Sequence, residues 1–152
     1  MEENLNIRSA KKSDVAALAK LADELGYPVT SPEMKNRFEK LSSNSGHEIF
    51  VAELGSIVGW IHVSLVNSLE SDSFAEIRGL IVAETHRGTG IGTRLVASAE
   101  RWAEKKGCRR IRVRTNIVRE EARTFYTKRG FQSTKTQEVF DKILQRDDRG
   151  GR

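Results

Sequence analysis

The stretch from Arg87 to Thr93, Arg-Gly-Thr-Gly-Ile-Gly-Thr, constrains the fold more than any other because it joins a strand-like run to a helix-like run. Phe74–Val82 precedes this glycine loop, and Arg94–Lys106 follows it. Three glycines within five positions permit positive φ angles and let a ligand come close to the backbone. The following helix adds N–H groups and the positive end of its dipole. The glycine loop therefore predicts an anion-binding turn between a strand and a helix.

Two common phosphate-binding motifs do not fit the glycine loop. A P-loop ends in Gly-Lys and then Ser or Thr, whereas Gly92 is followed by Thr93 and Arg94. A dinucleotide-binding motif follows the first strand of a βαβ unit, with an acidic residue about 20 positions further on, and this context is not met. The loop fits Arg/Gln-x-x-Gly-x-Gly and resembles the acyl-CoA pyrophosphate loop of the GNAT superfamily of N-acetyltransferases.

Length and composition indicate one domain. The chain has 152 residues, of which 38% are hydrophobic, and no repeat or low-complexity tract divides it. We predict a single domain over residues 1–145 and a flexible tail over residues 146–152. Apolar runs are short, no leader-like segment is visible, and Cys108 is the only cysteine. We therefore expect a cytoplasmic protein without membrane contact or disulfides.

Charge is unevenly distributed along the chain. Residues 1–76 carry 7 basic and 12 acidic side chains, whereas residues 77–152 carry 19 and 9. Nucleic acid is one possible partner for the basic half, through Arg109, Arg110, Arg112 and Arg114, but alternate residues of a strand face opposite ways. The phosphates of coenzyme A explain a basic half equally well. We expect acetyl-CoA, and no nucleic acid, as the anionic partner.

Apolar periodicity predicts eleven elements in the order β-α-α-β-β-β-α-β-α-β-β. The predicted strands are Leu5–Ser9, Glu48–Leu54, Ile57–Val66, Phe74–Val82, Ile111–Thr115 and a final pair between Phe131 and Leu144. The first two helices are predicted to have Ser13 and Ser31 as N-caps, and the other two are predicted to start at Arg94 and at Arg119. This order predicts an α/β fold with a mixed, mostly antiparallel sheet of about seven strands and helices on both faces. It is also the order of the GNAT fold, and the resemblance implies a splayed central strand pair.

The resemblance assigns the cofactor contacts. In the family, free backbone N–H groups of the splayed strand bind pantetheine and the thioester carbonyl, which implies this role for Leu80, Ile81 and Val82. Gly79 fits the splay, since glycine inside a strand often marks a bulge. The diphosphate contacts fall on the whole glycine loop: Arg87, Gly88, Thr89, Gly90, Ile91, Gly92 and Thr93.

Acetyl transfer to an amine is helped by a base, because an amine with a pKa of about 10.4 is almost fully protonated at neutral pH. Glu76 lies 11 residues before Arg87, the separation at which protein-acetylating GNAT members place their catalytic glutamate. The resemblance implies that Glu76 is the general base. The alternatives are an exposed surface charge at Glu76, and deprotonation through water without a dedicated base.

The block Phe125-Tyr126-x-x-x-Gly130-Phe131 appears in family order and spacing. Tyr126 matches the helix tyrosine that many members use to protonate the departing thiolate; the alternative is a core aromatic with one hydrogen-bond partner. Where the family commonly has asparagine, this chain has Arg119, with Asn116 three residues earlier. Two assignments follow from that departure, Asn116 to the pantetheine amide and Arg119 to phosphate.

The resemblance implies an acetyl-CoA-dependent N-acetyltransferase that acts by direct attack in a ternary complex, with no metal. The acidic balance around Glu70, Asp72 and Glu76 favours a cationic small molecule or peptide amine as the acceptor, and the alternative acceptor is an anionic amino acid. The alternative is a non-catalytic acyl-CoA-binding regulatory module, which would keep the glycine loop without needing Glu76 or Tyr126. A homodimer is possible, with Lys135–Leu144 as the contact.

Overall fold

The computed structural model describes residues 4–115 and 119–145. The chain divides into two compact units, and the division lies between Arg114 and Thr115. The predicted tail over residues 146–152 lies outside the described residues. The first unit contains β1 (Asn6–Ser9), α1 (Val15–Glu24), α2 (Ser31–Ser42), β2 (His47–Leu54), β3 (Ser56–Val66), β4 (Phe74–Val82), α3 (Ile91–Lys105) and β5 (Ile111–Val113). The second unit contains α4 (Glu120–Lys128). Across these described ranges, no helix is both long and apolar enough to cross a membrane.

The first unit is built on one sheet with the strand order β1-β2-β3-β4-β5. The first four strands pair antiparallel. β5 pairs parallel to β4, since α3 carries the chain back across the sheet between them. The mixed α/β sheet is thus confirmed, with most of its pairs antiparallel.

The prediction of about seven strands was wrong for the residues that the structure describes, which contain five. Residues 131–145 contain no strand. Their large apolar side chains come in adjacent pairs, Val139 with Phe140 and Ile143 with Leu144, and all four are strongly exposed. Adjacent residues of a strand face opposite ways, so this pattern lacks the alternation of a half-buried strand.

Helix starts differ from the predictions by up to three residues. α3 begins at Ile91 and not at Arg94, so the second half of the glycine loop forms the first helical turn. Ile91 is only 3% exposed, and its burial holds that turn against the sheet. Ser13 does not cap α1; Asp14 occupies that position, where it is buried and accepts two hydrogen bonds from Arg8. α2 is capped by Thr30, one residue earlier than predicted.

The helices pack on opposite faces of the sheet. The Trp60 Nε1 of β3 donates to the Leu18 carbonyl of α1 at 3.3 Å, which marks the face covered by α1 and α2. On the other face, a Cβ at Gly59 would lie 3.3 Å from the Leu95 side chain of α3. We call these the α1 face and the α3 face. They separate the side chains of every strand into two layers.

β4 carries a bulge at its centre. Gly79 pairs with His62 and Ile77 pairs with Val63, so Arg78 is an extra residue on β4. Trp60, His62 and Ser64 alternate along β3 on the α1 face, and Ser64 pairs with Glu76. Glu76 therefore also lies on the α1 face. A bulge beside Gly79 agrees with the sequence prediction.

Candidate active site

The glycine loop leaves β4 through a short 3₁₀ turn, Glu84–His86, and enters α3. Gly88 and Gly90 have φ angles of +78° and +91°, and Gly90 is the N-cap of α3. A Cβ at either glycine would meet no atom within 4 Å, so the backbone conformation and not space requires glycine. Residues 87–90 are exposed. The loop therefore offers exposed backbone beside a helix N-terminus, which suits a phosphate or diphosphate.

The C-terminal half of β4 is open on one edge. β5 pairs with β4 only from Ala75 to Ile77, among the residues that the structure describes. Ala83 N–H donates to the Val58 carbonyl at 2.8 Å, which fixes the alternation of the β3–β4 ladder. By that alternation, the N–H groups of Leu80 and Val82 point away from β3, towards the open edge. They lie in the stretch that leads into the glycine loop and are available to an extended ligand.

The resemblance gives Ile81 the same cofactor-binding role as Leu80 and Val82, but the backbone N–H of Ile81 points in the opposite direction. The same alternation directs its N–H and carbonyl at Trp60 of β3. Its side chain is buried against Leu21 and Ala22 of α1. Ile81 thus contributes to the sheet and the core, and two of the three predicted strand residues have outward N–H groups.

Glu76 is buried and charged, with only 6% of its surface exposed. Its Oε2 accepts from Arg114 Nε at 3.2 Å and from Arg78 Nη1 at 3.4 Å. A buried carboxylate needs such partners, because burial of an unpaired charge costs several kcal/mol. The alternative of an exposed surface charge at Glu76 is therefore wrong, and Glu76 is a carboxylate fixed in place by two guanidinium groups.

Residues 110–114, which we call the β5 segment, contain three alternate arginines that lie beside Glu76 on the α1 face. Arg112 pairs with Glu76 in the parallel ladder. The guanidinium carbons of Arg110 and Arg112 lie 4.1 and 4.5 Å from the Phe74 ring centroid, within cation–π range. Alternate residues of a strand face the same way. This alternation argued against a surface of four arginines, but it places three of them, Arg110, Arg112 and Arg114, on one face of the sheet.

A histidine pair lies next to this cluster on the α1 face. His47 Nδ1 and His62 Nε2 are 2.9 Å apart, so one ring donates its proton to the other. Burial lowers the pKa of His62 to about 4, with smaller contributions from His47 and Arg78. Burial and then Arg78 also lower the pKa of His47. Both rings are therefore neutral at pH 7, and the positive charge of Arg78 contributes to the lowered pKa of each.

Tyr126 belongs to the second unit. Its ring meets Phe125 and Phe131 edge to face, with centroids 5.0 and 5.3 Å apart. Burial raises the pKa of Tyr126 to about 12, and Arg119 opposes this shift. The hydroxyl therefore keeps its proton at every ordinary pH and acts as a donor. Phe131 N–H bonds to the Tyr126 carbonyl as Gly130, at φ +94°, closes α4.

The remaining predicted contacts lie at the start of the second unit. Arg119 is the N-cap residue of α4. Asn116 lies outside the described residues, so its assignment stays a prediction. Within residues 4–115 and 119–145, no group of three His, Cys, Asp or Glu side chains could hold a metal ion.

Sequence reasoning missed the surroundings of Glu76. The histidine pair joins residues 15 positions apart, and the bond between Arg114 and Glu76 spans 38 positions. The alternation of arginines at 110, 112 and 114 was the available signal. Without the register between β4 and β5, that alternation does not show whether the three arginines lie on the same face as Glu76.

Comparison with known proteins identifies the family. Residues 15–131 match the model of the acetyltransferase (GNAT) family. An aminoglycoside N(6')-acetyltransferase type 1 of Serratia marcescens is 28% identical over 78% of this chain and 86% of its own length. The aminoalkylphosphonate N-acetyltransferase of Salmonella typhimurium is 33% identical over 53% of each chain. A solved aminoglycoside N-acetyltransferase in complex with CoA superimposes with a TM-score of 0.85 at 21% identity, over 93% of this chain and 97% of the other. The chain therefore belongs to the acetyltransferase (GNAT) family of enzymes.

Proposed function

We propose that this chain transfers an acetyl group from acetyl-CoA to a primary amine by direct attack in a ternary complex. The observation that carries the proposal is the continuous path from the open edge of β4 into the glycine loop. In it, Leu80 and Val82 N–H groups bind the thioester carbonyl and pantetheine, and the loop binds the diphosphate. The solved relative named above contains CoA, which supports this ligand.

In the reaction, the amine nitrogen forms a bond to the acetyl carbonyl carbon, and the bond from that carbon to sulfur breaks. The N–H groups of β4 stabilise the negative charge that develops on the carbonyl oxygen. The amine must first lose a proton, which costs about 4 to 5 kcal/mol at pH 7 for a pKa near 10.4. We assign that proton to Glu76, the buried carboxylate on the α1 face.

We propose that Tyr126 acts on the sulfur atom of the departing CoA. A pKa of about 12 keeps its hydroxyl protonated. A free thiol has a pKa of about 8.5, so complete proton transfer from Tyr126 to the thiolate is uphill by roughly 5 kcal/mol. Tyr126 therefore acts as a hydrogen-bond donor to the departing sulfur, and solvent supplies the final proton.

The acceptor is a primary amine, and its other charges are a separate question. The named relatives include enzymes for aminoglycosides and for aminoalkylphosphonates, which both carry amines. A cationic small molecule or peptide amine remains the prediction from the acidic balance of residues 1–76. We also propose that residues 1–145 act as one catalytic domain, because the family match spans 15–131. Location in the cytoplasm remains a prediction.

We further propose that two copies pair through the apolar segment 139–144. Val139, Phe140, Ile143 and Leu144 are 77 to 85% exposed, and burial of such side chains in a shared interface is favourable by about 1.5 to 3 kcal/mol each. Light scattering should give the mass of a dimer for the parent. A monomer mass for both the parent and a Phe140→Ser, Ile143→Ser variant would contradict pairing through this segment.

The central test is amine-dependent release of thiol from acetyl-CoA, with mass-spectrometric detection of the acetylated amine. The amine panel contains polyamines, aminoglycosides, amino acids, and peptides with free lysine or N-terminal amines. We expect turnover with at least one amine, and a decrease of about 10- to 100-fold in Tyr126→Phe, because a hydrogen bond to a charged group is lost. CoA binding without turnover on any amine would favour the regulatory module instead.

A further inference from the structure

The surface around Glu76 carries more positive charge than that residue needs. Arg78 and Arg114 contact its carboxylate, and Arg110 and Arg112 lie on the neighbouring Phe74 ring. We call these four arginines, all in the first unit, the arginine cluster. The carboxylate of Glu76 cannot by itself balance the guanidinium groups of Arg78, Arg110 and Arg112, so this part of the α1 face attracts anions.

The contacts of Arg78 leave it able to bind a ligand. Its bond to Glu76 is long, at 3.4 Å, and about half of its side chain is exposed. A guanidinium has five N–H donors in a planar fork that fits a carboxylate, phosphonate or phosphate. The bulge gives Arg78 an extra position in β4 beside the open half of the strand. Arg78 can therefore turn from Glu76 to an incoming anion without loss of a core contact.

A polycationic acceptor does not suit this surface. Its remaining ammonium groups would lie near the arginine cluster and be repelled by it. The acidic side chains that favoured a cation, Glu70 and Asp72, lie in an exposed loop, whereas the acidic group among the arginines is Glu76 itself. The positive charge around Glu76 thus favours an anionic acceptor, whereas the net negative charge of residues 1–76 favours a cationic one.

We infer that the acceptor is a small primary amine that also carries a carboxylate, phosphonate or phosphate, held by Arg78 and Arg114 while its amine reaches Glu76. This inference rests on the proposed acetyl transfer.

A series of primary amines, each with a three-carbon chain attached to the amine and a different group at its far end, tests the inference. Its members are 3-aminopropylphosphonate, 4-aminobutyrate, propylamine and 1,3-diaminopropane, which differ in the charge at the end remote from the amine. We expect kcat/KM to be at least about tenfold higher for the two anionic members, as charged hydrogen bonds to arginine predict. Equal or faster turnover of propylamine or 1,3-diaminopropane would overturn the inference and leave acetyl transfer intact.

Substitution of Arg78 identifies the group responsible. Arg78→Gln should raise KM for 3-aminopropylphosphonate about 10- to 100-fold more than it raises KM for propylamine, which has no anionic group. Arg114→Gln should act in the same direction. Arg101→Gln removes the same charge from α3 and should leave both KM values unchanged. An equal effect of Arg78→Gln on both amines would mean that Arg78 only supports the fold, which overturns the inference.

A binding measurement keeps the inference testable if no amine is acetylated. Propylphosphonate has the anionic group and no amine, so its binding to the CoA-saturated protein, measured by calorimetry, does not depend on turnover. Binding that is lost in Arg78→Gln and kept in Arg101→Gln supports the anion site. Failure of the parent to bind propylphosphonate overturns it. Thermal unfolding of each variant separates either result from loss of fold.

Discussion

The two ends of β4 are built in different ways. At the C-terminal end, β4 leads through the turn Glu84–His86 into the glycine loop and α3, and the cofactor contacts assigned to β4 and this loop lie between Leu80 and Thr93. At the N-terminal end, Glu76 pairs with Ser64 of β3 and Arg112 of β5 and accepts a hydrogen bond from Arg114, 38 positions away. The first site is a local motif, and the second exists only when the strands are in register. The comparison shows why the cofactor is easier to infer from this chain than the acceptor.

The most damaging change at the N-terminal end should be Glu76→Gln. We expect kcat at pH 7 to fall by about 10²- to 10⁴-fold, because a positioned base is lost. Activity of the variant should then rise about tenfold per pH unit towards the pKa of the amine, near 10.4, as neutral amine becomes available. Steady-state rates from pH 7 to pH 10 measure this.

CoA affinity is the control for Glu76→Gln, since the two ends of β4 are predicted to act separately. The dissociation constant for CoA should be the same in the variant and in the parent. An unchanged kcat at pH 7 would remove Glu76 from the mechanism and favour deprotonation through water.

A smaller effect is expected at the C-terminal end, from Gly90→Ala. Gly90 has a φ of +91°, and an alanine there costs roughly 1 to 2 kcal/mol unless the loop moves. If the loop relieves this strain by changing its shape, CoA should bind about 5- to 30-fold more weakly. Calorimetric titration with CoA measures the change.

Gly107→Ala is the matched control at the other end of α3. Gly107 has a φ of +87°, and a Cβ there would also meet nothing within 4 Å. Both variants should lose similar stability, but only Gly90→Ala should lose affinity for CoA. Equal loss of affinity in both would show that the glycine loop has no special role.

The smallest effect concerns the histidine pair beside Glu76. The pKa of His62 is lowered to about 4 by burial, so the unfolded chain, with an ordinary pKa near 6.5, binds this proton more readily. Stability contributed by neutral His62 is complete above pH 6.5 and is lost as pH falls from 6.5 towards 4. The loss should be on the order of 1 to 2 kcal/mol, after allowance for the partial exposure of the ring.

Urea unfolding at pH 7 and pH 5 measures that loss in the parent, in His62→Gln and in His86→Gln. The free energy of unfolding should depend less on pH in His62→Gln than in the parent. His86→Gln, which alters a histidine outside the pair, should keep the dependence of the parent. The same pH dependence in all three proteins would mean that other groups cause it.

The sequence was most informative where structure follows from neighbouring residues. The bounds of β4 were predicted correctly, and so were the turn at the start of the glycine loop and the closure of α4 at Gly130. The start of α3 was placed three residues late, because burial of Ile91 outweighs the low helix propensity of Gly92. The strands predicted between Phe131 and Leu144 failed because β-prone residues do not make a strand without alternation.

The surroundings of Glu76 could not be predicted from residue types alone. Arg110, Arg112 and Arg114 share a face by alternation, but only the parallel register shows that this is the face of Glu76. Likewise, the contact between His47 and His62 depends on the β2–β3 register. Pairing between distant segments, and not local propensity, forms this half of the site.

Arg78 is an extra residue in β4, and it changes the face of the sheet on which the preceding side chains of the strand lie. Counted back from the glycine loop, Ile81 and Gly79 lie on the α1 face, so an uninterrupted strand would next place Ile77 there and turn Glu76 towards α3. The extra residue places Ile77 on the α3 face and Glu76 on the α1 face. A chain without residue 78 would keep Glu76 in its sequence and yet turn its carboxylate towards α3. The length of β4 is thus as much a determinant of chemistry as the identity of Glu76.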